Sequence, residues 1–108
     1  MAEKRGVPRA AFRCEVECEE VESGARPPNA RVSDISVTGA FIDATITFPV
    51  GSIVNLAFTL PSLQMRVSAD VVQTMPDMGM GLRFRDLTPV QKIAIEQIID
   101  MQQSGRVA

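Results

Sequence analysis

The sequence predicts an all-β-dominated fold, a six-stranded antiparallel β-barrel closed by one C-terminal α-helix. Short stretches of strict apolar/polar alternation recur along the chain, and Gly-, Pro-, Asn- or Asp-bearing turns separate them. Only from Thr88 onward does the apolar period become helical. With 108 residues there is room for one domain, and 45% apolar against 22% charged residues is a composition that supports a core. Closing the strands into a barrel also removes their unpaired edges.

The first strand opens at Phe12, with Phe12, Cys14, Val16 and Cys18 on one side and Arg13, Glu15, Glu17 and Glu19 on the other. The stretch from Glu22 to Asn29 has turn composition and no period, and Ala30 to Ile35 reads as the second strand. Gly39 marks a corner into a brief third strand, Ala40 to Ile42, after which Thr45 to Phe48 has no clear pattern. Val54, Leu56, Phe58 and Leu60 form the inward face of a fourth strand, and Met65, Val67, Ala69 and Val71 that of a fifth. The two face each other across the Pro61-Ser62 turn as a hairpin. Met80, Leu82 and Phe84 give the sixth. Thr88-Pro89-Val90-Gln91 has the form of a capping box, with Thr88 as N-cap and Gln91 three residues on, and it starts a helix over about residues 88–103. Val90, Ile93, Ala94, Ile98 and Met101 form its expected docking stripe. That stripe has two ways to be covered, by the barrel end or partly by a second copy of the chain, so a homo-oligomer stays open. Residues 1–11 are expected to form a flexible basic arm, and residues 12–108 a single domain.

Several function classes are excluded by what is missing. With no His there is no Ser-His or Cys-His nucleophile arrangement and no commonest metal ligand. On a strand, Cys14 and Cys18 sit about 13 Å apart, too far for a disulfide, and the two fall short of a zinc set, so both read as small buried residues. Met75, Met78 and Met80 read as core and turn packing rather than as a soft-metal site. The row Glu15, Glu17, Glu19 reads as a solvated, edge-protecting face. No acid–base pair converges, so the chain is not expected to be an enzyme and no metal or cofactor is implied. A net charge of −2, no Trp, no Tyr and five Phe argue against DNA, RNA and anionic membrane as partners. There is no run long enough to span a bilayer and no signal-like N-terminus, which predicts a cytoplasmic protein.

Two short motifs remain: Arg5-Gly-Val-Pro-Arg9, an RxxxR ahead of the first strand, and Asp34-Ile-Ser36-Val-Thr-Gly39, a DxSxxG at a strand-to-strand corner. In this order, with Pro49-Val-Gly-Ser52 leading into the fourth strand and Gly79-Met-Gly-Leu-Arg-Phe84 ahead of a helix, the chain resembles the PilZ family of bacterial cyclic di-GMP receptor domains over nearly its whole length. The resemblance implies a six-stranded barrel with a C-terminal helix, in agreement with the pattern above. It also implies that Arg5 and Arg9 hold guanine edges and phosphates, Asp34 accepts from a guanine, Ser36 donates to phosphate or base, and Gly39 brings the backbone close. Guanidinium suits both guanine O6/N7 and phosphate oxygens, and it stacks on bases. Lys4 stands where many binding members carry a further Arg; it keeps the charge without the planar fork. Gln73 is a further candidate wall of the ligand site. The implied protein is a receptor that signals to an unidentified downstream protein by ordering its arm. The alternative is a nucleotide-independent interaction adaptor of the same family, in which the arginines pair with Glu15 to Glu22.

Overall fold

The structure is a computed structural model that describes residues 9–60 and 63–105. Strands β1 (Arg9–Glu20), β2 (Arg31–Ser36), β3 (Gly39–Asp43), β4 (Ile53–Leu60), β5 (Leu63–Met75) and β6 (Gly79–Arg85) precede one helix, α1 (Pro89–Gly105). All neighbours are antiparallel, and the order β1-β2-β3-β6-β5-β4 closes on itself because β1 pairs with β2 near its start and with β4 near its end. The barrel and helix predicted from alternation are therefore present. β1 has partners on both sides, so the outward row Glu15, Glu17, Glu19 guards no edge. Its carboxylates are a solvated outer face, with Glu19 3.7 Å from the exposed Arg26 guanidinium.

Two strands run further than their alternation suggests, and each carries a bulge. β1 begins at Arg9, and its register against β2 shifts by one residue between Ala11 and Cys14, so the pairs Arg9↔Ser36, Ala10↔Ile35 and Ala11↔Asp34 are offset by one from the pairs that follow. Arg9 thus belongs by its backbone to the barrel, although the sequence places it in the arm. β5 continues to Met75 past a shift between Val71 and Gln73. The patternless run before β4 is a connection rather than a strand. Phe48 pins it: its ring is buried, its N–H donates to Met80 Sδ at 3.2 Å, and its carbonyl accepts from Thr74 Oγ1 at 2.6 Å.

Val32, Ile35, Ala40, Ile42, Val54, Leu56, Phe58, Ala69, Val71 and Met80 fill the barrel, with Phe58 and Phe84 in edge-on contact at 6.4 Å between ring centroids. Cys18 joins them as a free thiol, and Cys14 packs half-buried against the same core. α1 starts with the reciprocal cap its sequence predicts: Thr88 N–H donates to Gln91 Oε1 and Gln91 N–H donates to Thr88 Oγ1, both at 3.1 Å. The helix packs on β1 and β2 through a face that shares only Ala94 and Ile98 with the expected stripe. Ile95 and Ile99 are buried with Ala94 and Ile98 beside them, whereas Val90, Ile93 and Met101 are exposed. Gln91 Nε2 donates to the Arg66 carbonyl at 2.8 Å and so ties the first turn of the helix to β5.

Ile95→Ala should therefore cost about 2–5 kcal/mol of unfolding free energy. Ile93→Ala should stay within about 0.5 kcal/mol of wild type, both read from denaturant melts. Burial also pushes the Cys18 thiol from its usual 9.0 up to about 11. Because the folded pKa is the higher one, the stabilisation is complete below pH 9 and is lost as pH rises from about 9 to about 11, where only the unfolded chain ionises. Cys18→Val should flatten the fall in thermal midpoint across that window.

Candidate functional site

The closing of the barrel brings the two motifs together. Arg9 lies directly across from Ser36, and Ala11 across from Asp34, so the end of the RxxxR segment and the DxSxxG strand share one ladder. Lys4 and Arg5 lie outside the described residues. From Asp34 the outward register continues across the sheet: Asp34 opposes Phe41, Phe41 opposes Gly81, and Gly81 opposes Gln73. One row therefore joins β2, β3, β6 and β5 on the outer surface, with Asp34 half-buried at one end and Gln73 exposed at the other.

Ser36 is fully buried, and its hydroxyl is used by its own corner. Oγ accepts from Thr38 N–H at 3.2 Å and Gly39 N–H at 3.3 Å, and its proton has Thr38 Oγ1 at 3.0 Å or the Gly39 carbonyl at 3.4 Å as acceptor. This is the side-chain-to-backbone pattern by which serine builds a turn. Gly39 serves the corner for a related reason. A Cβ there would run into the Leu82 carbonyl oxygen, so glycine is required by the close approach of β6 rather than by a left-handed backbone. Ser36 and Gly39 thus hold the shape that presents Asp34 and the start of β1.

Two residues near the corner are not singled out by motif reading. Arg83 opposes Gly39 on β6 and is exposed on the outer face, one diagonal step from Phe41. Phe41 itself lies at the centre of the Asp34–Gln73 row. The alternation of Gly79 to Phe84 puts Arg83 outward, but only the register shows that it borders the corner. Arg85, next along the same face, lies 3.6 Å from Asp70. A groove of about 610 Å³ runs elsewhere, along β1 between Glu15, Glu17, Arg26 and Arg31, where carboxylates offset the guanidiniums and offer no net attraction to phosphate. Among the described residues no group of His, Cys, Asp and Glu could hold a metal ion, and no helix is long and apolar enough to cross a membrane.

A closed six-stranded antiparallel barrel, a polar corner after its second strand and a helix over its first two strands define a small barrel-and-helix domain. The PilZ domain model matches residues 3–101, and the chain belongs to that family. Solved PilZ structures share the fold. The PilZ domain of YcgR from Escherichia coli, solved with c-di-GMP, superposes with a TM-score of 0.76 at 12% identity, over 96% of this chain and 95% of that one. The PilZ domain of CeSA from a cellulose-synthesizing bacterium gives a TM-score of 0.65 at 14% identity, over 84% and 93% of the two chains. The Bacillus subtilis inhibitor of motility, MotI/DgrA, gives a TM-score of 0.77 at 18% identity over 92% of this chain, which spans 51% of that protein's length. No curated protein matches the chain in sequence.

Ser36→Ala would leave the buried Gly39 N–H and the part-buried Thr38 N–H without their acceptor, and should cost about 1–3 kcal/mol in the ligand-free protein. Gly39→Ala should cost a similar amount or more, because a backbone carbonyl gives way less readily than a side chain. Thermal melts without ligand check both. Loss of ligand binding in either variant is then ambiguous, which makes Arg9 and Asp34 the informative positions.

Proposed function

We propose that the protein is a bacterial, cytoplasmic receptor for cyclic di-GMP that signals by ordering its N-terminal arm over the barrel and so changing the surface it offers a downstream protein. The observation that carries this reading is the register Arg9↔Ser36 and Ala11↔Asp34, which joins the RxxxR segment to the DxSxxG corner in one ladder. Membership of a family that includes YcgR, solved with c-di-GMP, supports the ligand. The likeness to an inhibitor of motility supports a protein target for the output.

In this mechanism Arg5, with Lys4 adding charge, comes from the arm and Arg9 from the first position of β1 to meet phosphate oxygens and guanine O6/N7 edges. Asp34 stands across the ladder as the acceptor for a guanine N1–H and amino group, which a carboxylate can take as a pair. Ser36 and Gly39 hold the corner, and Gln73 closes the far end of the outer row. No bond is made or broken. The free energy of binding goes partly into fixing the arm, which lowers affinity and supplies the conformational signal.

Calorimetric titration with cyclic di-GMP, beside GTP and a short single-stranded RNA, tests the reading. Saturable binding to cyclic di-GMP alone is expected, absent in Arg9→Ala and weakened roughly tenfold to a hundredfold in Asp34→Ala, as for a lost hydrogen bond to a charged group. No heat and no thermal shift with wild type would overturn it and leave a nucleotide-independent adaptor.

A further inference from the structure

We propose that Phe41 is the platform on which one guanine of the cyclic dinucleotide stacks, and that it is therefore the residue giving this corner its preference for a planar base over a simple anion. The assignment rests on the cyclic di-GMP reading above.

Among the described phenylalanine side chains, Phe48, Phe58 and Phe84 are buried, whereas Phe41 is only partly so. Its neighbours Ala40 and Ile42 point into the core, so strand alternation turns Phe41 to the outer surface. There its ring lies down along β6 instead of standing off the sheet. A Cβ on Gly79 would come within 2.7 Å of Phe41 Cε2 and 3.1 Å of Cζ, and one on Gly81 within 3.9 Å of Cδ1. Opposite sides of the ring are thus both low against the strand, in the space two missing side chains leave. One face covers glycine backbone; the other is presented outward.

The flanking groups suit a purine. Asp34 adjoins Phe41 on β2, and Gln73 lies beyond Gly81 on β5 with Oε1 3.3 Å from where a Gly81 Cβ would stand. Three inter-strand steps separate Asp34 from Gln73, about 14 Å in all, which leaves a base room over the ring with a hydrogen-bonding side chain on each side. Arg83 stands one diagonal step from Phe41 on β6, exposed on the same outer face. Aromatic stacking under a base is worth about a tenfold change in affinity or more.

A purely structural role is the competing account, since an aromatic ring shields glycine backbone in a sheet. Phe41→Leu separates the two, because leucine keeps an apolar side chain over Gly81 but offers no π face. Phe41→Trp provides a direct readout, since the protein has no Trp or Tyr of its own and the new indole would be its only strong fluorophore. Cyclic di-GMP is titrated into wild type and both variants by calorimetry, with fluorescence for F41W and thermal melts for all three. The expected result is wild-type binding, about tenfold weaker binding by F41L at an unchanged melting temperature, and near-wild-type binding by F41W with its emission quenched in step with occupancy. Wild-type affinity in F41L, with F41W emission unchanged at saturation, would overturn the platform while leaving the receptor intact. Absence of binding by wild type would instead remove the receptor reading and the platform with it.

Discussion

Everything at the corner depends on β1 serving two ladders at once. Its first residues pair with β2 and its last with β4, and this shared strand turns an open sheet into a closed barrel. Closure fixes how far β2 can slide. A slip of one residue would exchange the inward Val32 and Ile35 for polar neighbours, at a cost no surface interaction here offsets. The position of Asp34 relative to Arg9 is therefore a property of the core, carried outward by alternation. A polar site on a barrel wall is held in this way without a buried charge network of its own.

The same economy governs the corner between β2 and β3. Ser36 and Gly39 look like recognition residues in a motif, yet the structure uses one to satisfy backbone N–H groups and the other to let two strands approach. A binding motif can therefore mix groups that touch a ligand with groups that only shape the surface. On β6 the glycines extend the logic, since leaving out side chains flattens the wall and lets one ring occupy it.

The fold was legible in the sequence because alternation is a direct record of burial, and the capping box Thr88–Gln91 was legible because its chemistry is local. At the start of β1, Ala10 pairs with the inward Ile35 and Cys14 with the inward Val32, so alternation runs on through the bulge, and it is Gly6 and Pro8 just ahead that make Arg9 read as arm although its backbone is strand. The docking face of α1 was misread at Val90, Ile93 and Met101 because several apolar residues surround the helix and only tertiary contact chooses among them. The motif residues of the site stood out as spacing, whereas Phe41 and Arg83 needed the register of β3 against β6, which no single segment contains.

Gln91 has one further effect. Its oxygen completes the helix cap and its amide nitrogen reaches the Arg66 carbonyl, so one side chain ties the first turn of α1 to β5. Helix and barrel wall are joined at the point where helix initiation is hardest. The helix is then no independent folding unit: its opening turn frays only when its hold on the barrel loosens, and amide protection there reports on the β-sheet as much as on the helix.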